Sequence, residues 1–572
     1  MWHYGGVAMK ASDSQAGLAP LTLAGYWVAL AWQAWHGGLT FDEPTHMLGA
    51  YLYWLNRPDL YPQDLPPLIK MLTGWIPRAL NIPLFLEMPS WQTAWKQDVA
   101  SGILDRLSRE QIQELFYLMR LALTVFPVAV AWLIWHWGQI LFGTTAALLL
   151  LLAAVLSPTP LAHGCLLKPD LATTFAYLLF TFWSWRFWLT PNRKTSLALG
   201  GSVLLAILAK MSMLIVPGLA VLLIAARAVK GGGSFRPWLG WAIFSIAVIP
   251  YIGLLAAYKF EARRMSSQEL ADLRSQTGFS KPVLAVAGLL RYIPSPVDVQ
   301  KAVLSLGSYQ QYGAPSCLLG EARSSGHPIY YPLALAVKVA IPVQILFVAG
   351  LILLARKAWR RRTVAAHWFL LLPFCVYLGL AAQSELQLGL RLVLPAMPFM
   401  PLLGGLAVEQ ALITRRGRFT ILVLLGWLAG ASAFIYPQGI AYFNEWVGGP
   451  SQGWKYLVDS NLDWGQNLPE LANYIRENRV KKLRLYYFGF DKLHRYGLQD
   501  KVEVKAPPWG PALVSETRLR PEPGIYAISA TLLPGHFFPP EYRDYFQWFR
   551  EREPIARAGY SIFIYEVLPT SM

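Results

Sequence analysis

The chain has 572 residues, 55% of them apolar and 15% charged, with a formal net charge of +17 and a mean hydropathy of +0.36. Soluble globular domains are usually about a quarter charged, so a water-soluble body is excluded. A nucleic-acid surface, the ordinary reading of so basic a chain, fails because much of the positive charge is confined to short connections between apolar blocks.

A helix needs about 20 mostly apolar residues to cross the hydrocarbon core. The first such stretch, about Leu18–Trp35, follows no cleavage-site pattern and reads as a span rather than a signal peptide. A long loop over about 36–117 comes next. Spans two to four are predicted over about Leu118–Trp137, Thr144–Pro160 and Asp170–Leu189. Ser196–Ala228 is too long for one span and too short for two full ones. Lys210 interrupts it, which predicts two short spans meeting at an outer turn. The seventh span is about Trp238–Tyr258, and a second long loop covers about 259–329. Spans eight to eleven are about Tyr330–Ala355, Ala366–Ala382, Leu388–Ile413 and Thr420–Pro437.

Four connections carry cations and no carboxylates: Arg193 and Lys194; Arg227, Lys230 and Arg236; Arg356, Lys357, Arg360, Arg361 and Arg362; Arg415, Arg416 and Arg418. Placing all four in the cytoplasm fixes eleven spans and a cytoplasmic N-terminus. The loops 36–117, 161–169 and 259–329 then face outward with the tail. Were Ser196–Ala228 a single span, two basic loops would fall on opposite sides. The expected fold class is a polytopic α-helical membrane protein, a module over 1–437 in a cell membrane, with a small extracytoplasmic α/β domain over 438–572. In that tail Leu468–Asn478 reads as an amphipathic helix, and Leu483–Phe490, Gly524–Ser529 and Ser561–Val567 read as strands.

Candidate chemistry collects at the outer edge. Thr40-Phe41-Asp42-Glu43-Pro44-Thr45-His46 follows span one directly. A carboxylate fixed there can accept a proton or position a cation. Asp42 can equally cap a helix that begins at Pro44, and both roles are compatible. Further on, Pro66-Pro67 starts a helix whose Leu68, Met71, Leu72 and Trp75 share one face, as in an interfacial helix. Its Lys70 either meets a lipid phosphate or snorkels to water. The second outer connection runs His163-Gly164-Cys165-Leu166-Leu167-Lys168-Pro169-Asp170, and Asp170 opens a helix whose dipole favours it. Lys210 and Arg391 are cations inside apolar sequence, hence functional by default. Together with Lys70 they suit a phosphate, although Glu385 is a competing structural partner for Arg391. Cys165, Cys317 and Cys375 show no metal-type spacing. Cys375 reads as inert core, and a Cys165–Cys317 disulfide stays open. There is no GxGxxG, Walker or HExxH motif.

Phe41-Asp42-Glu43-Pro44-Thr45-His46 followed by Pro66-Pro67-Leu68-Ile69-Lys70 resembles the first-loop pattern of the protein O-mannosyltransferase-like (glycosyltransferase family 39 type) membrane enzymes of the C-type fold. His163-Gly164 to Lys168-Pro169-Asp170-Leu171-Ala172 resembles their second acidic motif. Ala209-Lys210-Met211-Ser212 resembles their Thr-Lys-Phe/Tyr-Ser turn, with Ala for Thr and Met for the aromatic. Gly389-Leu390-Arg391-Leu392 to Pro395 resembles their Arg-containing late span. Tyr442-Phe443-Asn444-Glu445 through Gly448-Gly449-Pro450 to Asp459-Ser460-Asn461-Leu462-Asp463-Trp464-Gly465-Gln466 resembles a segment of prokaryotic members. The likeness covers about residues 20–475, and the order and spacing of the motifs carry it.

The resemblance implies a polyprenyl-phosphate sugar donor and an inverting transfer, on the outer side of the membrane, to a protein, lipid or glycan acceptor. It implies Asp42 as base, with Asp170 at the second acidic position and Glu43 among the catalytic carboxylates. His46 and His163 support them, and Lys70, Lys210 and Arg391 hold the donor phosphate. It implies no required cofactor, though carboxylates could take a divalent cation through oxygen. Two rivals remain: a transporter or flippase, which predicts polar residues strung through the spans and inverted repeats, and a scaffold whose tail binds a partner.

Overall fold

The computed structural model describes residues 13–57, 60, 66–92, 96–231, 236–277, 294–323, 325–360, 365–509 and 516–569. Asp64, Leu65, Arg361 and Arg362 lie outside the described residues.

A helix occupies each of the eleven stretches read as spans. Five described helices are long and apolar enough to cross a membrane: Arg109–Phe142, Met211–Gly231, Pro237–Ala257, Ile341–Trp359 and Arg415–Ile435. A bent pair, Leu390–Ala396 and Phe399–Ala411, turns by 49° and makes a sixth if taken as one span. The expected eleven therefore stand at five or six by length and composition. The others are shorter, as in Thr144–Val155, or less apolar, as in the aromatic-rich Asp170–Leu189.

Local chemistry sets the helix ends. Ser108 and Gln111 form a reciprocal capping box that starts Arg109–Leu123, and Asn192 and Thr195 do the same for Arg193–Ala209. Lys210 is extended (φ −159°, ψ 144°) and separates that helix from the short 3-10 turn Met211–Leu214. The broken pair of helices read from the sequence is thus observed, with the lysine at its turn.

Asp170–Leu189 rises about 30 Å at 1.5 Å per residue, and its two ends are chemically distinct. At the far end the Arg227 Nε donates to the Trp188 carbonyl at 3.0 Å, Lys230 lies over the Trp188 ring, and Arg193 stacks on Trp241 at 4.6 Å. Two of the four basic connections meet there. Asp170 and Lys210 lie at the other end.

The second long loop contains a hairpin, β1 (Ser316–Leu318) and β2 (Glu321–Arg323). The tail carries a five-stranded mixed sheet of β3 (Leu483–Tyr486), β4 (Val502–Val504), β5 (Gly524–Ser529), β6 (Ala556–Ala558) and β7 (Ile562–Val567), in the order β4-β3-β5-β7-β6. β3 runs parallel to β4 and β5, and β7 antiparallel to β5 and β6. The helix Leu468–Glu477 buries Leu468, Leu471, Ala472 and Ile475 against it, which is the face the periodicity predicts.

The tail is fastened to the helical module by buried polar bonds. Asp491 accepts from the Leu39 amide at 2.9 Å, from Arg495 at 2.6 Å and from Tyr496 at 2.8 Å. Lys492 reaches Asp105 at 2.7 Å. Phe41 stacks on Phe488 at 4.7 Å, and its amide donates to the Trp464 carbonyl at 2.8 Å. The loop leading to Asp42 therefore rests on the tail. Cys165 and Cys317 are both free and buried, so the disulfide left open by the sequence is not formed, and Cys375, expected in the core, is exposed.

Candidate active site

Four segments distant in sequence bring their charges together at one end of the helices. Asp42 stands at the N-cap position of Glu43–Leu55, yet its side chain makes no capping bond. It instead accepts from Lys168 in a close ion pair and lies 3.6 Å from the Arg391 guanidinium. The capping reading gives way to an electrostatic one. Asp170 pairs with Lys210 at 2.6 Å, and its second oxygen, Oδ2, is buried with no hydrogen-bond partner among the described residues. Asp42 keeps 30% and Lys210 23% of their side-chain exposure, so the cluster is open to solvent on one side.

Trp464 forms the floor. The Lys168 ammonium sits 4.1 Å and the Arg391 guanidinium 4.3 Å from its ring, and the indole is fully buried. Desolvated contacts of this kind stabilise by roughly 2 kcal/mol each. The loop Asp459–Asn461 sets Arg391: Asn461 accepts from the Leu390 amide at 2.9 Å, and the Arg391 Nε donates to Ser460 at 3.2 Å. Gly389, at φ +121°, lies so close that an added Cβ would come within 2.2 Å of the Ser460 hydroxyl oxygen. Glu385, the structural partner anticipated for Arg391, instead accepts from the Gly326 amide at 2.6 Å.

Glu43 is saturated. Its carboxylate accepts from Arg120 Nε and Nη2 at 2.7 and 2.6 Å, from the Leu167 amide at 2.8 Å, and from the Thr40 amide and hydroxyl at 2.8 and 3.1 Å. Arg120 also donates to the carbonyls of Ala34, Gly37 and Gly38. Burial pushes the Glu43 acid up, but Arg120 and these bonds hold it below the usual carboxylate range. Glu43, expected among the catalytic carboxylates, ties the Asp42 loop to the Lys168 loop in this geometry, with both carboxylate oxygens engaged.

The remaining nominated residues are also placed. His46 lies one turn along the Glu43–Leu55 helix, held neutral to about pH 3 by burial and then by Lys168, against the pull of Asp42 and Asp170. His163 is buried 6.3 Å from Trp464 and is likewise lowered to about 3, chiefly by burial. Lys70 is buried, not snorkelling, and its charge is felt by His46. The interfacial helix is broken at Gly74, and Met71, Leu72 and Trp75 are its exposed residues. Burial pushes Asp42 up, but Lys168 and Arg391 bring it down to about 2. Lys168 falls to about 8, from burial working against Asp42. Asp459, close to Arg391, is pushed up to about 7 by burial, against the pull of that cation.

Residues the sequence reading passed over are Lys168, Arg120 and Lys338. Lys338 is buried and donates to the Ile440 carbonyl at 2.7 Å and to the Asn461 carbonyl. All three are cations in or beside apolar blocks, the same signal that singled out Lys210 and Arg391. Asp42 and Asp170 are each paired with a cation, and no three His, Cys, Asp or Glu gather among the described residues.

No family model matches the sequence, and no curated protein matches it. Among solved structures the chain is similar to ArnT from Cupriavidus metallidurans bound to undecaprenyl phosphate, at 11% identity and a TM-score of 0.46, over 96% of this chain and 97% of that one. It is also similar to ArnT from Cupriavidus metallidurans in the apo state, at 13% identity and a TM-score of 0.32, over 97% and 98%. Likeness at these scores carries no functional argument, so the chain's own residues must carry it.

Proposed function

We propose that the chain is a membrane glycosyltransferase that moves a sugar from a polyprenyl-phosphate donor to an acceptor hydroxyl, with inversion, on the outer side of a cytoplasmic-type membrane. The observation that carries this reading is the meeting of Asp42 and Asp170 with Lys168, Lys210 and Arg391 over Trp464. The meeting of two basic connections at the far end of Asp170–Leu189 supports the sidedness.

Lys168, Lys210 and Arg391 face a lipid phosphate at the headgroup level, with Lys70 nearby and Arg391 offering a planar fork. A phosphate arriving there competes with Asp42 for Lys168 and Arg391. The freed carboxylate then gains proton affinity, because the cations that hold it at about 2 are the ones engaged. The acceptor oxygen attacks the anomeric carbon and its proton passes to Asp42. The bond from that carbon to the phosphate oxygen breaks, and its electron pair stays on the leaving phosphate. The three cations stabilise the charge that develops. Asp170 holds Lys210 in place, and Glu43 with Arg120 holds the two loops together.

The test is incubation of the purified chain with a panel of polyprenyl-phosphate sugars, with donor loss followed by mass spectrometry. The reading expects consumption of at least one donor and release of the free polyprenyl phosphate. A panel left untouched in the presence of protein, lipid and glycan acceptors would refute it.

A further inference from the structure

Behind the acidic cluster lies a groove of about 1080 Å³, between the outer end of Asp13–His36, the helix Arg109–Leu123 and the tail helix Leu468–Glu477. Small-molecule sites commonly enclose roughly 300–1,000 Å³. Arg120 and Gln466 line it; Arg120 is paired with Glu43, the residue after Asp42, and Gln466 accepts from the amide of Trp464, the floor of the cluster. Groove and cluster are thus the two sides of one wall.

We propose that this groove binds the neutral saccharide portion of a membrane-anchored acceptor. The inference rests on the glycosyltransferase reading and adds the acceptor's chemical class. Three features of the lining support it. The first is aromatic: Trp32, Trp35 and Tyr117 line the groove, with Trp32 and Trp35 each 45% exposed and Trp35 set edge-on to Tyr117 at 4.9 Å. Ring faces of this kind take the C–H face of a pyranose, and they are amphipathic. The second is amide chemistry: Gln113, Gln438 and Asn473 line the same groove, and beyond the one bond that each amide nitrogen donates and each oxygen accepts within the protein, each carboxamide keeps a second hydrogen and a second lone pair to offer sugar hydroxyls. The third is charge. Arg109 and Arg476 stand beside Glu110, Glu114 and Glu470, Arg120 is already paired with Glu43, and no Lys or Asp joins them among the described lining residues. Such a lining gives an anionic ligand no gathered cations, in contrast to Lys168, Lys210 and Arg391 on the other side of the wall. The groove also opens at the end of a helix read as a span, beside tryptophans suited to the headgroup level, which is where the head of an anchored acceptor would lie.

The test uses the full chain in nanodiscs and three neutral probes, maltotriose, mannotriose and tri-N-acetylchitotriose, with sialyllactose as an acidic comparator. Binding is read by saturation-transfer NMR. At least one neutral trisaccharide is expected to bind. Trp35→Ala should weaken it tenfold or more, and so should Asn473→Trp, which fills the groove from a partly exposed helix position. Asp42→Asn should leave it intact. Failure of all three neutral probes, binding that survives both groove variants, or tighter binding of sialyllactose would overturn the proposal. Donor consumption measured on the same preparation separates the two readings. Consumption without saccharide binding defeats the groove alone, and saccharide binding without consumption defeats the glycosyltransferase reading and with it the acceptor role, leaving the groove a saccharide site.

Discussion

Replacing Glu43 with Gln separates a positioning carboxylate from a catalytic one. Glu43 and Arg120 are both buried, with their charged atoms 2.6 Å apart. At an effective dielectric of about 20, that separation corresponds to an attraction of about 6 kcal/mol, most of which offsets the desolvation of the two charges. Removing one partner leaves the other charge stranded, a loss of about 3–5 kcal/mol. Glu43→Gln should therefore lower stability by about that amount and slow transfer by displacing both Asp42 and Lys168. The double variant Glu43→Gln with Arg120→Met removes the stranded charge and should recover a large part of the stability, because neighbours in one network are not additive. Thermal unfolding of the purified variants in detergent, alongside donor consumption, measures both effects. A Glu43→Gln protein as stable as the parent but inactive would refute the reasoning and return Glu43 to the reaction itself.

Three further outcomes follow from the geometry. Gly389→Ala places a Cβ against Ser460 on a backbone at φ +121°, a conformation costing a non-glycine residue about 1–3 kcal/mol; it should displace Arg391 and raise KM for the donor more than it lowers stability. Trp464→Leu removes both cation–π contacts and should weaken donor binding at least tenfold, as measured by titration with polyprenyl phosphate, while Trp464→Phe keeps part of it. Asp459 is held protonated to about pH 7, well above an unfolded carboxyl near 3.9. The folded state then binds the extra proton between about pH 4 and pH 7, so stability falls as pH rises through that window and flattens above it. Asp459→Asn should remove that part of the slope in a series of melting temperatures.

Hydropathy located the helices well because an all-round apolar surface is a strong local signal; Asp170–Leu189 was read to the residue. The span count was less legible: short or aromatic-rich helices such as Thr144–Val155 cross the line between buried core and lipid-facing segment without a local mark. Lys210 and Arg391 stood out as charges in apolar sequence. Arg120 and Lys338 carried the same mark but lay within stretches whose length already made them convincing spans. The partners of each charge were not legible at all. Arg391 has Glu385 nearby in sequence, yet it meets Asp42 and Trp464 through contacts closed by the fold. The segment Asp459–Trp464 carried a family likeness but no mark of what it would touch. It proves to form a wall of the site because Asp463 accepts from the Thr531 amide at 3.0 Å, beyond the end of β5, anchoring the loop to the tail sheet.

The central claim is that Asp42 takes the acceptor's proton while the neighbouring cations hold the donor. The most direct measurement compares Asp42→Asn with the parent chain for polyprenyl-phosphate binding and for turnover of whichever donor the parent consumes. Loss of a general base typically slows transfer by about 10²–10⁴-fold. Asp42→Asn is expected to bind the lipid phosphate at least as well as the parent, since Lys168 and Arg391 no longer have a competing carboxylate, yet to turn over at no more than about a hundredth of the parental rate. Parental turnover by Asp42→Asn, or loss of phosphate binding in a folded variant, would contradict the account.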